Sequence, residues 1–207
     1  MPWQKSAVNR TGMFNDLSSL PHFLATRRSG KPRYMIAPGP TPDQMRGMLG
    51  AAQRVPDHGK LAPWRFVVVG ADQREALASL LSSAYRAGKP DAGQLEIEAI
   101  EQFAHQAPSL VVVLSTPIAG SKIPLWEQQL SSGAACMQLL NAVHAQGFVG
   151  GWLTGWACYN DQVKAAFGGR DGDSIAGFIF IGTPSRDLEE RPRPEYDAIV
   201  SHWNAPQ

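Results

Sequence analysis

The chain has 207 residues, of which 43% are hydrophobic and 18% are charged, a composition that suits a globular protein with one substantial core. Its 19 lysines and arginines nearly balance its 18 acidic residues, for a formal charge of +1. This balance argues against a general nucleic-acid or membrane-surface role, because both need a basic field, so any bound anion must be held by a local basic cluster. The two cysteines lack CxxC spacing, and neither a signal-peptide core nor a membrane-length apolar run occurs, so we expect reduced thiols and a cytoplasmic location.

The first half of the chain predicts an irregular leader, four helices and one strand. Ser18 or Ser19 is the N-cap of the first helix, and Thr41 is the N-cap of the second, where Gln44 completes a capping box. The strand has apolar residues that run on without alternation, which predicts burial on both of its faces. The predicted ranges are the leader 1–17, a helix at 18–28, a helix within 41–55, a strand at 64–70, and helices at 72–87 and 93–106.

The second half predicts buried strands on either side of one long central helix. Gly147 ends that helix, and a glycine-punctuated strand or loop follows it. After the last strand the chain is proline-rich and shows neither a helical nor a strand period. The predicted ranges are strands at 109–116 and 174–182, helices at 125–146 and 160–167, and the glycine-punctuated segment at 148–156.

Long helices outweigh short strands, and the two alternate irregularly, which indicates an α+β layered domain rather than a regular βαβ series. We expect three parts: the leader 1–17, one domain over 18–184 and an extended tail over 185–207. The tail contains Tyr196 and Trp203, so we expect it to lie across a surface such as that of a partner subunit.

Several chemistries find no support in the sequence. There is no G-x-S-x-G, no H-E-x-x-H and no complete Walker A motif. The five histidines do not cluster with carboxylates at metal-ligand spacing, so no metal site is predicted. His58 beside Asp57 is compatible with half of a zinc site or of a catalytic triad, which keeps a hydrolase as a weak alternative.

Three segments suggest an anion and a flat ring as ligands. TRRS at 26–29 offers two guanidiniums and a hydroxyl for bidentate phosphate binding, although a solvated helix end explains it equally well. GFVGGWLTG at 147–155 has glycines that let a ligand approach the backbone, with a plain sheet bend as the alternative. ERPRP at 190–194 is either a stiff carrier of two arginines or a charged tail. Together they exceed what a solvated surface needs.

The residues resemble the FMN-dependent nitroreductase family, in particular the small NAD(P)H nitroreductases of its YdjA-like subgroup, from about Leu20 to Pro184. The PDH-x-K-x-x-P-W turn and the W-E-Q-x-x-S-x-G helix start are specific in combination. The stretches that carry the resemblance are RRS at 27–29, RVPDHGKLAPWRFVVV at 54–69, IPLWEQQLSSGAACMQLL at 123–140, HAQGFVGGWLTG at 144–155 and GFIFIGTP at 177–184.

The resemblance implies a three-layer α/β/α sandwich with a mixed central sheet, completed by a homodimer partner, and FMN bound at the subunit interface. Arg54 and His58 would reach the flavin from the partner subunit. From one subunit, Arg27, Arg28 and Ser29 would contact the FMN phosphate and ribityl chain, and Trp152, Leu153 and Thr154 would come from that same subunit. Arg191 and Arg193 resemble the basic pair that helps to hold the phosphate in other family members. A segment associated with the nicotinamide nucleotide matches Ala142, Val143, His144, Ala145, Gln146 and Gly147.

The reaction that the resemblance implies is a ping-pong reduction. NAD(P)H passes a hydride to flavin N5, and a nitroaromatic, a quinone or another flat acceptor is then reduced. No side chain is assigned as a catalytic acid, because water can reach an open interface site. A flavin-dependent oxidase, dehydrogenase or dehalogenase on the same fold, and a flavin-binding protein without turnover, remain alternatives.

The chain departs from the family pattern beside the phosphate residues. Many members read RRSxRxF, whereas RRSGKPRYM here has Lys31 at the position of that arginine and Arg33 two positions later, with Pro32 between them. Lys31, Arg33, Arg191 and Arg193 are therefore all candidates to complete the phosphate site.

Overall fold

The computed structural model describes residues 14–206, which form seven α-helices and one five-stranded sheet. Most of the predicted leader 1–17 lies outside the described residues. The helices are α1 (Leu20–Thr26), α2 (Pro42–Ala52), α3 (Arg74–Gly88), α4 (Gln94–His105), α5 (Leu125–Ala145), α6 (Asp161–Ala166) and α7 (Tyr196–Ile199). The strands are β1 (Met35–Ile36), β2 (Trp64–Val69), β3 (Ser109–Ser115), β4 (Val149–Leu153) and β5 (Ser174–Pro184).

The sheet is antiparallel at every pairing, so the expectation of a mixed sheet is wrong in this respect. Strand β5 lies between β3 and β4, β2 pairs with β3, and β1 pairs with the end of β5. Two helices, α3 and α4, join β2 to β3 and return the chain to the end of the sheet that it left. The long helix α5 makes β3 and β4 run the same way, but β5 separates them, so no parallel pair is hydrogen-bonded.

Helices cover both faces of the sheet, which confirms the three-layer sandwich. Alternate residues of β3 and β5 point to opposite sides, as the pleat of a strand requires. On one side, Leu110 and Phe180 pack with α3 and α4; on the other, Val111 and Ile181 pack with α2 and α5. The sheet therefore has two hydrophobic cores, and α5 lies across the second of them.

Local signals place the helix starts correctly. The hydroxyl of Ser19 accepts from the backbone N–H of His22 at the start of α1. At α2 the predicted capping box is confirmed, because Thr41 and Gln44 each accept from the other's backbone N–H. The first helix ends at Thr26, two residues before its predicted end, and the basic segment that follows is extended.

The prediction that β2 is buried on both faces is wrong. In the described chain β2 is an edge strand, and the side chain of Val68 is 49% exposed. Strands β3 and β5, which have neighbours on both sides, are the strands whose central residues are fully buried. An unbroken run of valines therefore indicates that a segment is an apolar strand. Whether that strand lies at the centre or at the edge of the sheet depends on its pairing with residues far away in the sequence.

Two short elements were not predicted. Strand β1 has only two residues, and α7 has four residues and no buried side chain. Neither segment has enough length for a hydrophobic period to develop, so the sequence pattern gave no signal for them.

Candidate functional site

The predicted phosphate-binding residues form an extended loop between α1 and β1. Asn15 clamps the backbone of Arg28, because its side chain accepts from the Arg28 N–H at 2.7 Å and donates to the Arg28 carbonyl at 3.1 Å. The backbone N–H of Gly30 donates to the carbonyl of Gly150, which ties the loop to β4. The hydrogen bonds of Asn15 and Gly30 therefore fix the backbone of the loop that carries the arginine and serine side chains.

Four arginines come together at this loop, since the tail folds back over it. Arg28 Nε donates to the carbonyl of Glu189 at 2.7 Å, and Arg28, Ser29 and Arg191 line a cleft of about 230 Å³. Burial lowers the pKa of Arg27, and the nearby charges of Arg28 and Arg193 lower that pKa further. Burial and the nearby charges of Arg193 and Arg191 lower the pKa of Arg28, with Glu190 and Glu189 acting in the opposite direction. Guanidiniums whose pKa is lowered by neighbouring positive charges favour an added anion.

Lys31 and Arg33 each have a partner beside the same cleft. Lys31 Nζ lies 2.6 Å from a carboxylate oxygen of Glu189, and the guanidinium of Arg33 lies 4.9 Å from the centre of the Tyr34 ring. The guanidinium of Arg186 lies 3.4 Å from the same ring centre. Of the candidate cations, Arg193 is the one whose charge acts on both Arg27 and Arg28.

The predicted ring-binding residues follow β4. Trp152 is partly exposed and its indole N–H donates to the carbonyl of Ala176 at 3.0 Å. Leu153 packs against the core, whereas Thr154 is exposed beyond the end of the strand. The chain therefore presents Trp152 and Thr154 outward along one edge of the sheet.

The glycines before this segment serve protein packing. A Cβ added at Gly150 would lie 2.6 Å from Leu140 of α5, and one at Gly151 would lie 2.7 Å from the carbonyl oxygen of Gly30. The interpretation that these two glycines leave room for a ligand is therefore wrong. Their lack of a side chain lets α5 and the arginine loop approach β4.

The turn at 54–63 has an unusual backbone that several hydrogen bonds hold in place. Gly59, Lys60 and Ala62 all have positive φ angles, of 77°, 55° and 47°. The carboxylate of Asp57 accepts from the backbone N–H groups of Leu61 and Ala62. Strain of this kind persists only where the surroundings enforce it, and it is concentrated at functional sites.

Helix α5 anchors the turn from one side. Ser131 donates to the carbonyl of Pro56, and buried Ser132 donates to the carbonyl of Pro63, each at 2.7 Å. His58 Nδ1 lies 2.7 Å from a carboxylate oxygen of Glu127, on the first turn of α5, and Arg54 is exposed nearby in sequence. Since both oxygens of Asp57 bind backbone N–H groups, Asp57 does not form a triad with His58.

The two groups of predicted flavin residues lie far apart within one chain. The turn at 54–63 leads into edge strand β2 and contacts the start of α5, while the arginine loop runs beside the other edge strand, β4. His144, near the end of α5, is close enough for the charge of Arg27 to lower its pKa. From Glu127 to His144 the helix rises by about 25 Å. The structure thus brings each group together but separates one group from the other.

The predicted nucleotide segment is only partly accessible. The side chains of Val143 and His144 are buried in the core, and Ala142 is half-buried. Ala145 and Gln146 are exposed, and Gly147 ends the helix with a φ of 81°. In this segment Ala145 and Gln146 have side chains that a nucleotide could contact, and the role of the segment in nucleotide binding stays a prediction.

His144 should make the stability of the protein depend on pH. Its Nε2 accepts from the backbone N–H of Gly150, and burial, followed by the charge of Arg27, lowers its pKa from 6.5 to about 4. Above pH 6.5 the imidazole is neutral in the folded and the unfolded chain. As the pH falls toward 4, the unfolded chain gains a proton that the folded chain excludes, so the free energy of unfolding should fall by about 3 kcal/mol.

Urea unfolding between about pH 7 and about pH 4.5 measures this loss. His144→Gln should flatten the pH dependence, and His105→Gln, at an exposed position at the end of α4, should not. Equal pH dependence in the two variants would contradict the assignment.

Sequence reasoning missed several residues that build the site. Glu127, Ser131 and Glu189 each bind a predicted site residue or its neighbour, and Arg186 fixes Tyr34 beside the arginine loop. The W-E-Q-x-x-S helix start contained the signal for the first two. Their partners lie about 70 residues earlier, beyond what a local pattern can pair.

Two general features complete the description. Among residues 14–206, no three histidine, cysteine or acidic side chains are grouped so as to hold a metal ion. Within the same range, no helix combines the length and the apolar character that crossing a membrane requires.

Known structures first define the fold. A nitroreductase-like family protein from Bacillus cereus superposes with a TM-score of 0.75 at 18% identity, covering 93% of this chain and 100% of that one. The FMN and NADPH-dependent nitroreductase NfnB from Sphigopyxis sp. strain HMH gives a TM-score of 0.69 at 18% identity, with 87% and 97% covered. The three-layer sandwich is therefore a nitroreductase fold.

Sequence comparison then defines the family. The nitroreductase family model matches residues 24–183. The Escherichia coli (strain K12) protein named "Putative NAD(P)H nitroreductase YdjA" is 36% identical over 162 residues, which are 78% of this chain and 86% of that protein. This chain belongs to the nitroreductase family.

Proposed function

We propose that this protein is an FMN-dependent oxidoreductase that takes electrons from NAD(P)H and reduces a flat acceptor such as a nitroaromatic or a quinone. The observation that carries the proposal is the cluster of Arg27, Arg28, Arg191 and Arg193, whose charges are brought together without an equal number of carboxylates. The names of related proteins, which include NAD(P)H nitroreductases and an FMN and NADPH-dependent enzyme, support the same assignment.

The residues present fit the phosphate end of FMN. Arginine binds phosphate through paired N–H donors, and a hydroxyl adds a further donor. Arg27 Nη1 lies 3.3 Å from Ser29 Oγ, so the two groups can bind the same anion. A phosphate would also offset the repulsion that lowers the pKa of the Arg27 side chain.

We infer that each flavin site is completed by a second copy of the chain. In a single chain the two groups stand near opposite ends of α5, because His58 contacts Glu127 and the charge of Arg27 acts on His144, and these two helix residues are about 25 Å apart along the axis. On α5, Trp126 is 67% and Leu130 is 53% exposed, and on α1 Leu20 and Leu24 are exposed too. Exposed apolar side chains at helical spacing suit a dimer interface, which would bring Arg54 and His58 of one chain to the arginine loop of the other.

FMN, when bound, supplies the two-electron chemistry. The protein's part is to hold the phosphate with the arginine loop, to flank the ring with Trp152 and Thr154, and to leave a face open to donor and acceptor in turn. Arg54 would place a donor beside a ring that becomes electron-rich, which is how a preorganised site stabilises developing charge, and His58 would contact the same ring through its Nε2 side. Exposed Ala145 and Gln146 are the accessible part of the proposed nucleotide segment.

Visible absorption of the freshly purified protein, followed by anaerobic addition of NADPH or NADH, tests the proposal. We expect a yellow protein that bleaches with one or both nucleotides and regains its colour with a quinone or a nitroaromatic. A yellow protein that neither nucleotide bleaches would move the function to a flavin-dependent oxidase or to flavin binding without turnover. A colourless protein that FMN cannot reconstitute would contradict the flavin site itself.

A further inference from the structure

The contact between His58 and Glu127 is not explained by the stability of the fold. His58 Nδ1 lies 2.7 Å from Glu127 Oε2, while the two side chains remain 65% and 44% exposed. An ion pair or hydrogen bond at that exposure adds little to the free energy of unfolding, because water competes for both groups. What such a contact does well is to fix the orientation of the ring.

The hydrogen-bonding chemistry of the two side chains determines which nitrogen of the His58 ring is left to contact a ligand. An ionised carboxylate can only accept hydrogen bonds, so Nδ1 of His58 must carry the hydrogen. In the neutral ring, Nε2 then has a free lone pair, and in the protonated ring it has an N–H to donate. A histidine without this neighbour would populate both neutral tautomers.

Hydrogen bonds hold the backbone in place around both His58 and Glu127. His58 precedes the three positive-φ residues of the 54–63 turn, whose backbone Asp57 holds with both carboxylate oxygens. Glu127 is on the first turn of α5, where its neighbour Gln128 is buried and accepts from the backbone N–H of Ile118. Neither backbone can readily shift, so the 2.7 Å contact sets the position of the imidazole.

We infer that Glu127 is a positioning residue, which fixes His58 as the Nδ1–H tautomer and leaves Nε2 as the nitrogen available to the FMN held by the other subunit. The inference rests on the proposed function for the identity of the ligand. It assigns a role to the acidic residue of the W-E-Q helix start, for which the turn and the arginine loop alone give no explanation.

Nitrogen-15 NMR of histidine-labelled protein tests the tautomer directly. His58 should be in the Nδ1–H form in the wild type. Glu127→Gln should keep only part of that preference, because the glutamine amide can accept from Nδ1–H but can also donate to Nδ1. Glu127→Ala should convert His58 to a mixture of tautomers. Gln129→Ala, at an exposed position on the same helix, is the control. A loss of melting temperature in Glu127→Ala without a change of tautomer would reduce Glu127 to a helix-stabilising acid and overturn the inference.

FMN affinity gives the second readout and separates this inference from the proposed function. Titration should show FMN binding weakened about fivefold in Glu127→Ala, with a smaller loss in Glu127→Gln. The double variant Glu127→Ala, His58→Ala should bind no more weakly than His58→Ala alone. Wild-type protein that does not bind FMN would overturn the proposed function, whereas wild-type affinity in Glu127→Ala would overturn the positioning role alone.

Discussion

Arg27→Ala should weaken FMN binding by about 1–3 kcal/mol, which is roughly 5- to 150-fold in the dissociation constant. Arg27 is half-buried beside Ser29, so its guanidinium can bind a phosphate with little competition from water. Ser29→Ala should give a loss in the same range, because it removes a hydroxyl at the same place. Flavin content after purification and titration of the stripped protein with FMN measure both effects.

The same substitution should not lower the stability of the flavin-free protein. Burial and the charges of Arg28 and Arg193 disfavour the charged form of Arg27, so its removal relieves repulsion. Arg46→Ala, an exposed arginine on α2, is the matched control and should keep its flavin. Full flavin retention in both Arg27→Ala and Ser29→Ala would contradict the phosphate assignment, and an unfolded Arg27→Ala protein would show that the loop depends on this side chain.

Mixed dimers should recover a flavin that neither parent dimer binds. One parent has Arg27→Ala, and the other has Arg54→Ala together with His58→Ala. If each site takes the arginine loop from one chain and the 54–63 turn from the other, the mixed dimer contains one intact site and one doubly defective site. Its flavin content should therefore be about half that of the wild type, a consequence of the two-fold symmetry of such an interface.

Co-expression with two different affinity tags, followed by purification on both, yields the mixed dimer for an absorbance measurement. The two parent homodimers, prepared in the same way, provide the baseline. If the mixed dimer is as flavin-poor as its parents, the site lies within one chain, and the long separation along α5 then requires a different ligand for the 54–63 turn.

Sequence reasoning predicted the structure best where residues close together in the sequence determine it. The capping box of Thr41 and Gln44 and the N-cap at Ser19 involve residues three positions apart, so each helix start can be read from a few neighbouring letters. The segments with ligand-binding chemistry were also recognisable from residue types. The structure shows that the arginines at 27–28 and those of the tail share one region, although more than 160 residues separate them.

Sequence reasoning failed where the structure depends on residues that are far apart in the sequence. The valines of β2 are alike, and nothing in their sequence shows that β2 lies at the edge of the sheet in the described chain or that Val68 is half-exposed there. Gly150 and Gly151 looked like room for a ligand, but α5 and the arginine loop fill that room. Asp57 and His58 looked like a catalytic pair, yet the aspartate builds the turn and the partner of the histidine lies on α5.

The length of α5 has a consequence for how the proposed flavin would be bound. If each flavin takes its residues from the two ends of this helix in different subunits, as proposed, a lone subunit has two half-sites and no whole one. Cofactor capture and subunit association are then linked by mass action, each strengthening the other. Dilution should release flavin together with monomers, and excess FMN should hold the subunits together at concentrations where the apoprotein dissociates.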